Sequence, residues 1–118
     1  MSATRHASGL AAEAAAGAAL TAEGWTVLAR RARTPAGEVA LVAERDGLLA
    51  LVEVKRRATL AAAAHALGAR QRARLLAAAE LLLAAHPAWG RAGVRFDVIV
   101  VDGAGRVRRI TDAFRAGD

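Results

Sequence analysis

The sequence predicts an α/β domain, a mixed central sheet flanked by helices in three layers, in the order helix, three strands, helix, two strands. Three observations predict it. Two alanine-rich stretches, residues 9–23 and 69–85, carry leucines at helical spacing. Asp46-Gly47, a strong two-residue hairpin signal, separates two strand-length segments. Val94 to Val101 is apolar but for Arg95 and Asp97, as expected of an internal strand covered on both faces. A meander followed by a helical crossover and a further strand gives a mixed sheet with helices on its faces.

Taken in order, Gly9 to Glu23 is read as the first helix, with Leu10, Ala14, Ala18 and Leu20 as its spaced positions and Gly24 ending it. Trp25 to Arg33 reads as a strand with Trp25, Val27 and Ala29 on one side, and Thr34-Pro35-Ala36-Gly37 as a turn. Glu38 to Arg45 and Leu48 to Lys55 form the hairpin. Arg56 to Thr59 is a basic connector, and Leu60 to Leu67 a short helical turn interrupted by Gly68. Ala69 to Ala85 is a long helix with Leu75, Leu76, Ala79, Leu82 and Leu83 facing the core, stopped by His86-Pro87. After Val94–Val101, Asp102-Gly103-Ala104-Gly105 turns the chain into a final edge strand, Arg106 to Ile110. Thr111 to Asp118 reads as a polar tail containing Phe114. The chain is read as a single domain, residues 1–118, with residues 1–8 and 115–118 as flexible ends.

The composition bounds the function. The 118 residues suffice for one core, and no apolar run reaches the roughly 18 residues of a membrane span, so no membrane partner is expected. Zero cysteines removes disulfides, thiolate zinc sites and cysteine nucleophiles, which is compatible with the expected cytoplasmic location. Aromatic residues are only 3%, too few for base-stacking platforms. Net charge is +6, nearly all of the surplus arginine, which suits phosphate recognition and nucleic acid as the partner; the plain alternative is an arginine-for-lysine habit of a GC-rich genome. His6, His65 and His86 lack metal-ligand spacing and read as surface or cap residues.

The chemistry concentrates at Glu53-Val54-Lys55. Alternate strand residues share a face, so Glu53 and Lys55 point the same way. A metal-held phosphodiester would engage both, whereas the plainer reading is a salt-bridged strand end. With Asp46-Gly47 as the loop, counting back sets Ala40 opposite Glu53 and Glu38 opposite Lys55, so that Glu38, Ala40, Glu53 and Lys55 share one face. Ala40 then stands where a second carboxylate would complete a divalent-cation site. Arg70-Gln71-Arg72-Ala73-Arg74 opens the second long helix, where the helix dipole disfavours positive charge; a bound phosphate would reconcile the arrangement. Arg56 and Arg57 extend the basic surface, with Arg30, Arg31 and Arg33 as further candidates. Asp97 is expected to anchor a turn or pair with arginine.

This order of elements resembles the bacterial YraN family, together with Gly37-Glu38-Val39-Ala40-Leu41-Val42-Ala43, Val52-Glu53-Val54-Lys55, Gln71 to Arg74 and Arg95-Phe96-Asp97-Val98. That family has the restriction-endonuclease-like fold and is similar to archaeal Holliday junction resolvases. The resemblance runs from Gly9 to about Phe114. It implies metal-dependent endonuclease-like chemistry on DNA, including branched structures, with Mg²⁺ or Mn²⁺ as cofactor. It implies Glu38, Glu53, Lys55 and Gln71 as catalytic residues, and Glu53, Glu38 and Glu13 as metal ligands. Arg56, Arg57, Arg70, Arg72 and Arg74 would be the nucleic-acid contacts. The family has Asp where this chain has Ala40, and that Asp would be the chief metal ligand, so cleavage is expected to be slow or absent. The alternatives are a non-catalytic nucleic-acid-binding module that keeps the fold, and an adaptor whose basic face binds an acidic protein. A homodimer is one assembly the chain could form.

Overall fold

A computed structural model describes residues 2–61 and 67–115, with side chains described from Gly9 onward. The elements are α1 (Ser2–Ala22), β1 (Thr26–Thr34), β2 (Gly37–Arg45), β3 (Leu48–Arg56), α2 (Ala69–Ala85), β4 (Gly93–Val101) and β5 (Val107–Phe114). The expected order therefore holds. The strands form one five-stranded sheet in chain order. Only the β3–β4 pair is parallel, and α2 is the crossover between those two strands. Among the described residues no helix is long and apolar enough to cross a membrane.

The two helices cover opposite faces. Ala12, Ala16 and Leu20 of α1 bury against Leu41, Ala43, Ala50, Val52, Ile99 and Val101. Leu75, Ala78, Ala79 and Leu82 of α2 bury against Val42, Leu49, Leu51 and Phe96. The alternation of Leu49/Leu51 with Ala50/Val52 is the period-two pattern of a strand buried on both sides. The buried stripe of α1 is thus Ala12–Ala16–Leu20, while Leu10, Ala14 and Ala18 are exposed. With alanine at nearly every position the sequence offers no apolar contrast to set the phase of that helix.

Other boundaries shift for physical reasons. The α1 helix starts at Ser2 rather than Gly9, since its first turns carry no helix-breaking residue except a tolerable glycine. The β1–β2 register slips between Val27 and Ala29, so Val27 packs on the α1 side and Ala29 on the α2 side. The β5 strand runs through Phe114 instead of ending at Ile110. Its register with β4 shifts between Phe96 and Val98, Asp112 takes a positive φ of 52°, and Phe114 returns to stack on Phe96 with ring centroids 4.7 Å apart. Leu60 and Ala61 form the start of a 3₁₀ turn; the rest of the expected helical turn through Ala66, including His65, lies outside the described residues, as do residues 116–118. His86 caps α2 and stacks on Trp89.

Candidate functional site

Strand polarity brings the candidate residues to one end of the sheet. The β3 strand finishes at Arg56, opposite Val101 at the end of parallel β4. The antiparallel strand β2 begins at that same end with Gly37 and Glu38, and β1 finishes there with Arg33 and Thr34. The connector after β3 leads to the start of α2, whose Arg74 reaches back over the sheet edge. Gly37 leaves the room: a Cβ there would lie 2.6 Å from Arg74 Cδ, and its φ of 142° is one that side chains rarely adopt.

Glu53 and Lys55 come together as the alternation requires. Lys55 Nζ is 3.6 Å from Glu53 Oε1, and Arg74 Nη2 is 3.8 Å from Glu53 Oε2. The Glu53 and Lys55 side chains are only 13% and 16% exposed, so the carboxylate is balanced by two cations beyond hydrogen-bond distance rather than by water alone.

The expected four-residue face is not formed. The β2–β3 ladder begins as the loop dictates, Arg45 opposite Leu48 and Glu44 opposite Leu49, and it ends at Leu41 opposite Val52. Alternation in β2 then breaks: Val39 and Val42, three residues apart, both bury in the α2-side cluster, while Leu41 buries on the α1 side. Glu38 consequently leaves the Glu53 face. Its Oε2 lies 3.7 Å from Arg33 Nε, and its charge acts on Arg31. Arg31 holds a positive φ of 50°, which marks the kink, and its guanidinium grips Glu13 of α1 through Nε (2.9 Å) and Nη2 (3.2 Å). The Glu13 bond raises the Arg31 pKa above its ordinary value against the opposing effect of desolvation.

Glu13, Glu38 and Glu53, the three carboxylates expected to ligate a cation, therefore each face a basic side chain of this same chain. Among the described residues no group of three His, Cys, Asp or Glu is placed to hold a metal ion. The donor set does not fit Mg²⁺ or Mn²⁺, which bind through one or two carboxylates with waters and substrate phosphate: Ala40 offers no oxygen, and Glu53 is flanked by Lys55 and Arg74. Gln71 serves a structural purpose, its Oε1 accepting the Gly68 N–H at 3.3 Å to cap the start of α2.

Arg70 and Arg72 on the first turn of α2, and Arg56 and Arg57 at the end of β3, have no carboxylate partner among the described residues; the Arg57 guanidinium donates to the Arg56 carbonyl. Arg106 follows on the adjacent turn, where it is neutralised by Asp102 at 2.7 Å. The sheet end is thus a rank of guanidiniums in excess over carboxylates.

Comparison with known proteins decides the family. The Uncharacterised protein family UPF0102 matches residues 12–101. The chain belongs to this family. A UPF0102 protein of Granulibacter bethesdensis is 67% identical over 91% of this chain and 68% of its own length. UPF0102 proteins of Azorhizobium caulinodans and Acidiphilium cryptum are 51% and 50% identical, over 92% and 82% of this chain and 83% and 75% of their own lengths. The matched span begins at Ala12, the first buried residue of the α1 stripe, and ends at Val101, so it takes in α2 and every strand but β5.

Two further carboxylates are held by arginine and backbone partners near this end of the sheet and at the β4–β5 seam. Asp102 accepts N–H bonds from Ala104 and Arg106 and a guanidinium bond from Arg106, fixing the turn before β5. Burial alone would raise the Asp102 pKa; the bonds from Arg106 and Ala104 outweigh it and leave the carboxyl below its ordinary value. An Asp followed by Gly-Ala-Gly is the signal that could have found it. Asp97 is fully buried and takes two bonds from Arg95, at 2.8 and 2.9 Å, and one from the Asp112 N–H at 2.9 Å, with Arg109 Nε 3.8 Å away. The expected arginine pairing of Asp97 is what forms.

Proposed function

We propose that this protein is a DNA-binding domain on a restriction-endonuclease-like scaffold of the YraN type. It grips phosphates with the arginines at the β3 end of the sheet and leaves metal-assisted cleavage aside. The observation that carries this reading is a contrast of charges. Glu13 is paired with Arg31, Glu38 with Arg33, and Glu53 with Lys55 and Arg74, whereas the neighbouring Arg56, Arg57, Arg70 and Arg72 have no carboxylate partner among the described residues. Internal cations occupy the carboxylates, and surplus cations remain for an external polyanion. Such contacts position a duplex through its backbone without reading its sequence. A cytoplasmic place, with access to bacterial DNA, accompanies this reading.

A second reading, a metal-dependent endonuclease acting on branched DNA, is favoured by one observation: Glu53 and Lys55 share a face, half-buried, at a strand end. A panel of linear, nicked, flapped and four-way DNA with Mg²⁺ or Mn²⁺ separates the two. The binding reading expects retention of every substrate in a gel shift and no product. Metal-dependent product from any branched substrate would establish the second reading instead.

A further inference from the structure

Beside the arginine rank lies a pocket of about 440 Å³ between α1, the end of β3 and the β4–β5 turn. Its volume is that of a small-molecule site, typically about 300–1,000 Å³. Its walls are unusually bare. Ala11 and Ala15 of α1 present only methyl groups, and a Cβ built on Gly103 would meet nothing within 4 Å. Arg56 and Arg57 stand in the lining, neither neutralised by a carboxylate of the described residues. The one carboxylate in that lining, Asp102, is consumed in holding the turn and in pairing with Arg106. The pocket is also pre-formed: the Arg57 N–H donates to the Val101 carbonyl at 3.0 Å, and the Gly105 N–H to the Asp102 carbonyl at 3.1 Å.

A methyl-lined wall with two unneutralised guanidiniums suits a planar group with apolar faces that carries a phosphate. We propose that this pocket takes one unpaired nucleotide of a DNA strand, its phosphate on Arg56 and Arg57 and its base against the alanine wall of α1. The assignment rests on the DNA-binding reading and deepens it. A base still paired in a duplex is sterically committed to its partner, so the pocket selects overhangs, flaps and unpaired junction positions, where extrusion costs least.

The test measures fluorescence anisotropy at fixed salt for a blunt duplex, the same duplex with a short single-stranded overhang, and thymidine monophosphate alone. The proteins are the natural chain, Ala11→Leu and Gly103→Leu. Ala11 is exposed on a helix and Gly103 has an ordinary φ, so both variants fill the pocket without strain, and thermal unfolding verifies their folding. The natural chain should prefer the overhang by about 5-fold, the scale of burying a small apolar area against the alanine methyls. Both variants should lose that preference while binding the blunt duplex as before. Equal affinity for both duplexes, or a preference that survives both fillings, overturns the pocket assignment and leaves the DNA-binding reading standing. Absence of binding to either duplex overturns the DNA-binding reading itself. Binding of thymidine monophosphate without binding of DNA overturns the assignment in favour of free nucleotides.

Discussion

At the scale of single residues, the hairpin loop shows how little freedom the site-bearing strands have. Asp46 and Gly47 hold φ values of 52° and 80°, the pair of positive angles that a two-residue hairpin loop needs. Replacing Gly47 with Ala places a side chain in the left-handed region and a Cβ 3.1 Å from that of Ala92. The expected loss is about 1–2 kcal/mol, read from the midpoint of urea unfolding; an unchanged midpoint would mean the loop does not set the β2–β3 register. The carboxyls of Asp102 and Asp112 are both held below their ordinary pKa, the latter chiefly by its bond from Arg115. A group with a lowered folded pKa contributes stability above its unfolded pKa and loses it as pH falls through the folded one. Stability should therefore be flat from neutral pH down to about pH 4 on account of these two groups and decline below it. Asp102→Asn should reduce that acid dependence, as followed by thermal unfolding across pH. A profile identical to the natural chain's would show that the Asp102 turn is not coupled to folding.

At the scale of elements, legibility followed contrast in the sequence. The Glu53/Lys55 face, the hairpin loop and the α2 stripe were readable, because Leu and charged residues alternate or recur at fixed spacing. The α1 stripe was not, since alanine in every phase looks the same. The Glu38–Ala40–Glu53–Lys55 patch failed for a different reason: period-two counting assumes an unbroken ladder, and the kink at Arg31 and the double burial of Val39 and Val42 break it. The β5 strand was cut short because Thr111 and Asp112 look polar, while the irregular backbone at Asp112 returns the Phe114 ring to the core. Arg95 and Asp97 could be paired from sequence, being two apart on one strand. Asp97 joins β4 to β5 at a fully buried position, so removing the carboxylate strands Arg95 and leaves Arg109 with its Glu23 partner alone. Asp97→Ala should cost about 3–5 kcal/mol by denaturant unfolding, as for other broken buried pairs. A cost no larger than a surface substitution's would make the network dispensable. Ala40→Asp tests the scaffold assignment: it should add a Mn²⁺-dependent rise in unfolding temperature that the natural chain lacks. No rise in the variant would argue that this strand position never faces a cation.

At the scale of the whole molecule, the two helices hold the sheet so that one end gathers the starts of β2 and α2 and the finishes of β1, β3 and β4. Part of the net charge of +6 lies there, in Arg56, Arg57, Arg70 and Arg72, which are left without carboxylate partners among the described residues. The central claim, that this end binds the DNA backbone, is tested most directly by the salt dependence of duplex affinity between about 50 and 200 mM salt, the range over which phosphate contacts change binding strongly. The natural chain is expected to bind steeply more weakly as salt rises. Replacing Arg56, Arg57, Arg70 and Arg72 with alanine should weaken binding to every duplex alike and flatten the log–log slope by about 0.9 for each phosphate no longer neutralised. A slope unchanged by the four replacements would contradict the claim.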